Sequence, residues 1–164
     1  MQQGDRERAL SELDLAITAD PGSTDAYLRR SRRYQERGNT DQAVADLDQA
    51  VRLRPDSSEM LNQRCWVRAT AGRLDAALPD CNASLKLSPS ASAYDSRGLV
   101  HLKAGRNALA IDDYTAALKL DPKYASALYG RGLARKGVGD AAGAAEDIAA
   151  AKQIRSDIEQ GFGR

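Results

Sequence analysis

The chain has 164 residues, 24 basic against 23 acidic side chains for a net charge of +1, and 42 % apolar residues. Charges so evenly matched create no overall field toward nucleic acid or an anionic membrane surface, and neither partner is expected. No segment approaches the run of about 18 apolar residues that a membrane span needs, so no membrane insertion is expected; the opening MQQGDRERAL is too polar for a signal peptide, but a fragment would have lost one, so the amino end gives no localisation.

A ruler of three residue types runs along the chain. Gly4, Gly38, Gly72, Gly105 and Gly139 are separated by 34, 34, 33 and 34 residues, and five residues after each stands Ala9, Ala43, Ala77, Ala110 or Ala144. Pro21, Pro55, Pro89 and Pro122 keep the same interval, with Ser156 in the fifth proline slot. A period in this range, filled by helical segments, marks a solenoid of stacked helix pairs. The first segment, 4–21, supplies only a second helix, with an apolar stripe of Ala9, Leu10, Leu13, Ala16 and Ile17. Because its first helix is missing, the chain is expected to be a fragment or processed form, and the stripe offers a homo-oligomer contact. Four full units follow at 24–57, 58–90, 91–124 and 125–156. In each, glycine closes the first helix where positive φ is favoured, and in the first three proline ends the second. Small residues at Ala43/Ala50, Ala77/Ser84 and Ala110/Ala117 let the two backbones approach, with Leu47, Cys81 and Tyr114 filling the gap. A cap at 157–164 is expected to start on the S-x-x-E box of Ser156 and Glu159 and to stop near Gly161.

In phase with the period, the second full unit carries Leu61, Arg64, Cys65, Arg68, Gly72, Ala77, Cys81, Ser84 and Pro89. The third carries Tyr94, Arg97, Gly98, His101, Gly105, Ala110, Tyr114, Ala117 and Pro122, including the segment DYTAALKLDP. From Gly4 to about Ser156 the chain resembles the tetratricopeptide repeat family of bacterial type. The resemblance implies an all-α, right-handed α-solenoid of antiparallel helix pairs: one half repeat, four full units and a short carboxy-terminal cap. It also implies a non-catalytic scaffold that binds a protein or peptide segment in the concave groove. The alternative is a structural or oligomerisation module, or an accessory region of a larger protein.

Carrying the family's groove phases onto this sequence gives Leu28, Arg29 and Arg32 in the first full unit, and Asn62, Gln63 and Trp66 in the second. The third gives Asp95, Leu99 and Leu102, and the fourth Tyr129 and Leu133. Trp66 is the only tryptophan, and its neighbour Cys65 already holds the inward phase, so the indole is expected to face the groove as an aromatic anchor. The lysine, asparagine and arginine set with which some family members clamp a terminal carboxylate is missing: Leu28, Arg32, Gln63, Ser92 and Ser96 stand at those phases.

Two further patterns are structural. Arg30, Arg64, Arg97 and Arg131 recur in phase with Glu12, Asp46, Asp80, Asp113 and Asp147, each arginine within reach of the acid 16 residues ahead or the acid 17 to 18 behind. Either choice makes a ladder of guanidinium–carboxylate pairs between helices. Cys65 and Cys81 occupy facing phases of one unit. A bridge between them would indicate a periplasmic or secreted setting; two reduced, buried thiols would suit the cytoplasm. Catalysis and cofactors find no footing. His101 is the single histidine, no metal spacing exists, the cysteines are not C-x-x-C, and a triad of His101 with Asp112 or Asp113 ignores the geometry of helices.

Overall fold

A computed structural model describes residues 3–162, and ten α-helices in chain order account for nearly all of them. Helix α1 (Gln3–Ala19) is followed by four pairs: α2 (Thr24–Glu36) with α3 (Thr40–Leu53), and α4 (Ser58–Thr70) with α5 (Leu74–Leu87). Then come α6 (Ala91–Lys103) with α7 (Asn107–Leu120), α8 (Ala125–Gly137) with α9 (Ala141–Ile154), and the short α10 (Ile158–Phe162). Partners within a pair pack closely, each pair stacks on the next, and α4, α6 and α8 also pack side by side. No two second helices pack comparably, so the first helices form the inner, concave layer of a solenoid.

The glycine ruler has a specific cause. Gly38, Gly72, Gly105 and Gly139 all take positive φ, between 71° and 86°, at the ends of first helices. The residue after each glycine donates its N–H five residues back into the helix, as in Asn39 to Tyr34 at 2.8 Å and Arg106 to His101 at 2.9 Å. This is the left-handed cap that satisfies orphan carbonyls and that a side chain would strain. Gly4 departs from the series: it lies within α1 and not at the end of a helix. Three of the four first helices, α2, α4 and α6, start on serine, with Ser23, Ser57 and Ser90 accepting from the N–H of Ala26, Met60 and Ala93.

Each full pair contains one slot where a small residue on the first helix meets a filler on the second, 16 positions on. Ser31 and Leu47 stand there in the first pair, both fully buried, and Ser31 Oγ donates to the Ala43 carbonyl at 3.0 Å. In the second the slot holds a disulfide between Cys65 and Cys81, whose Cα atoms are 5.4 Å apart. In the third, Gly98 faces the Tyr114 ring, and in the fourth Gly132 faces Ile148. The bridge decides between the two states left open for the cysteines: both are oxidised and buried.

The arginine ladder forms, in the first of its two expected registers. Arg30, Arg64, Arg97 and Arg131 each grip the acid 16 residues ahead, Asp46, Asp80, Asp113 and Asp147, through two bonds of 2.6–2.9 Å. The third guanidinium nitrogen reaches back 15 or 16 residues into the previous second helix, to Asp14, Asp48, Asn82 and Thr115. That row is itself periodic, and it replaces the acids 17 to 18 behind; Glu12 pairs instead with Arg8 at 3.1 Å. The carboxylates are nearly dry, so these contacts fix the register of neighbouring pairs more than they stabilise them.

Two expectations at the ends need correction. The cap begins at Ile158, which puts Asp157 and not Ser156 before its first turn, and Glu159 pairs with Lys152 at 2.8 Å. What anchors α10 is Ile158, wholly buried in the core beside Leu128 and Tyr129. At the other end the stripe on α1 is partly covered by α2: Leu10 is buried and Ala9, Leu13 and Ile17 are half-buried. The most exposed large apolar side chain of α1 is Leu15.

Candidate functional site

Two clefts open on the first-helix layer. The larger, about 610 Å³, lies between α1, α2 and α4 and is walled by Leu13, Leu28, Arg29, Arg32, Arg33 and Gln63, with Asp25 and Glu59 at its edge. The smaller, about 260 Å³, runs between α2, α4, α6 and the start of α8, walled by Gln35, Asn62, Trp66, Ser92, Ser96 and Tyr124. Arg32 and Gln63 line both, so the two clefts are one continuous channel. Trp66 is 41 % exposed, because Cys65 beside it is tied inward by the disulfide and one residue of helix turns the next side chain away by about 100°.

Of the groove residues expected from phase, Leu28, Arg29, Arg32, Asn62, Gln63 and Trp66 line this channel. The others do not. Asp95, Leu99 and Tyr129 are buried, and Leu102 and Leu133 are half-buried against the core that surrounds Tyr114. Here α6 and α8 come together: Ser126 Oγ donates to Asp95 Oδ2 at 2.9 Å, which ties the two helices. Burial pushes the Asp95 carboxyl up to about 7, only partly offset by that hydrogen bond, and its Oδ1 has no partner. The channel also has residues that phase alone did not select. Tyr124 enters from the turn before α8, and exposed Glu12 of α1 lines the larger cleft.

His101 is buried, and loss of hydration holds its imidazole below the ordinary range; its Nε2 lies 3.7 Å from Asp113, which is already held by Arg97. Among the described residues no three His, Cys, Asp or Glu side chains converge as a metal site, and no helix is long and apolar enough to cross a membrane.

Comparison with known proteins agrees with the architecture. A tetratricopeptide repeat model matches residues 28–92 and a TPR repeat model residues 98–139. No curated protein sequence matches the chain. Among solved structures, PilW, a type IV pilus biogenesis factor, is 20 % identical with a TM-score of 0.84, over 98 % of this chain and 80 % of its own. The MamA 41-end structure from Desulfovibrio magneticus RS-1 is 21 % identical with a TM-score of 0.79, over 99 % and 90 %. YrrB, described as a TPR protein with an unusual peptide-binding site, is 21 % identical with a TM-score of 0.70, over 98 % and 85 %. With its period, its left-handed glycine caps and two family models in register, the chain belongs to the tetratricopeptide repeat family.

Proposed function

We propose that this chain is a non-catalytic scaffold that holds an extended or helical segment of a partner protein in the channel between α1 and α6. The observation that carries this is the half-exposed Trp66 at the wall of a channel lined mainly by polar side chains. A rigid aromatic ring there gains apolar contact area on binding at little entropic cost. The peptide-binding site of YrrB, a protein of similar fold, supports the reading. Trp66→Ala is expected to weaken binding of display-selected peptides about tenfold with the melting temperature unchanged. Undiminished binding, or a melted variant, would refute the placement of the anchor.

The Cys65–Cys81 bridge supports an oxidising setting for this work, periplasmic or extracellular. Alkylation of the protein directly from its cells, followed by mass measurement, tests it: two free thiols would place the chain in the cytoplasm. Self-association is the second reading, because Leu15 is 70 % exposed on α1. A dimer in sedimentation that Leu15→Asp abolishes would favour it, and a monomer at high protein concentration would remove it.

A further inference from the structure

Five arginines crowd α2 and the residue that caps it, and four are matched. Arg29 meets Asp25 at 2.7 Å, Arg30 meets Asp46 at 2.6 Å, Arg33 meets Glu36 at 3.0 Å and Arg37 lies 3.9 Å from Glu7. Arg32 is the exception: it is exposed and, among the described residues, has neither an acid nor a hydrogen-bond partner. It stands at the junction of the two clefts, and no other charged side chain lines the smaller one. The fold thus presents one uncompensated guanidinium to a neutral pocket, with a planar fork of donors that suits a carboxylate.

Two neighbours narrow the ligand. The Trp66 ring stands on the same wall, and Asn62 keeps its Oδ1 buried without a partner. The terminal torsion of asparagine is soft, so this amide turns at little cost to meet a peptide backbone group. We infer that the smaller cleft recognises an acidic side chain inside an extended peptide, next to an aromatic or large aliphatic residue. The carboxylate pairs with Arg32 and the apolar neighbour lies on Trp66. A single cation favours an internal side chain over a terminal carboxylate, since the phases that would complete a terminal clamp hold Ser92 and Ser96.

This inference rests on the groove reading above, and one experiment separates their failures. A random dodecapeptide library is displayed with free amino ends and selected on the oxidised full chain. Selected peptides should share a glutamate or aspartate within a few residues of an aromatic or leucine. For a synthetic consensus peptide, exchanging that glutamate for glutamine should weaken binding about tenfold, whereas amidation of its carboxy terminus should change nothing. Arg32→Gln should abolish the difference between the acid and amide peptides while leaving the melting temperature and the affinity for the amide peptide in place. An acidic preference that is absent, or that persists in Arg32→Gln, would overturn this inference and leave the groove intact. Sensitivity to terminal amidation would overturn the internal-residue part. Failure to select any peptide would overturn the groove as well.

Discussion

The second and third repeats solve one packing problem in two ways. Across the same slot, the second joins Cys65 to Cys81 covalently, while the third presses Tyr114 into a hollow left by Gly98 and, from the following repeat, Gly130. The bridge acts within one hairpin and asks nothing of the neighbouring units. The tyrosine acts between hairpins, because its ring end lies against α8 and thereby locks the third pair to the fourth. The charged ladder differs as well. Asp80 of the second repeat is held by two arginines, Arg64 and Arg68, whereas the phase of Arg68 is occupied in the third repeat by His101, whose imidazole burial holds below its ordinary range. The second repeat is thus doubly tied, both to Asp80 within the pair and to Asp48 of the previous one, and the third singly, to Asp113 and Asn82.

The largest effect is expected where the local tie is covalent. Cys65→Ser with Cys81→Ser should cost about 3 kcal/mol in denaturant unfolding, by the chain-entropy estimate for a 16-residue separation. A loss below about 1 kcal/mol would mean that packing alone holds the slot. Next is Gly130→Ala, whose Cβ would overlap the Tyr114 ring and lie 2.6 Å from its hydroxyl. It should cost about 2 kcal/mol, and Tyr114→Leu, which copies Leu47 of the first repeat, should restore part of that loss. A double-mutant cycle showing simple additivity would break the proposed nesting.

A third measurement sets the two ladders side by side. Arg97→Ala leaves the nearly dry Asp113 with no charged partner and should cost about 2 kcal/mol, against about 1 kcal/mol for Arg64→Ala, where Arg68 remains on Asp80. Equal losses would erase the distinction. The smallest effect depends on pH. Asn62 of the second repeat corresponds in phase to Asp95 of the third, whose folded carboxyl titrates near 7 against an ordinary 3.8. The folded chain therefore binds that proton more tightly than the unfolded chain, so stability falls as pH rises from about 4 to about 7. Asp95→Asn should remove this fall and be the more stable protein at pH 8 by at least about 1 kcal/mol; unchanged pH dependence would refute it.

What the sequence disclosed follows from which contacts are local. The glycine and proline positions were legible because left-handed caps and helix termination are decided by a few adjacent residues. Facing phases allow two registers for the arginines, of which the structure takes the acids 16 ahead, while the row of Asp14, Asp48, Asn82 and Thr115 changes residue type along the chain and so hides its period. The disulfide stayed undecided because phase says that two side chains face one another without saying how near they come. The far half of the groove was misjudged for a related reason. Phase alone does not say which side chains a neighbouring helix covers, and the core around Tyr114 together with the bond from Ser126 to Asp95 buries Asp95, Leu99 and Tyr129. The cap was shifted because the chain uses two turn residues after α9 before helix resumes.

The bridge also bears on how this solenoid would behave under tension. Stretched from its two ends, a stack of hairpins surrenders its length one hairpin at a time, but the chain between Cys65 and Cys81 is shunted and never takes up load. Fully pulled out, the oxidised molecule would stop about 50 Å short of the reduced one, the span of 16 extended residues less the 5.4 Å already bridged. A linear tether in a reducing bath thus becomes, on oxidation, one with a fixed loop that carries Trp66.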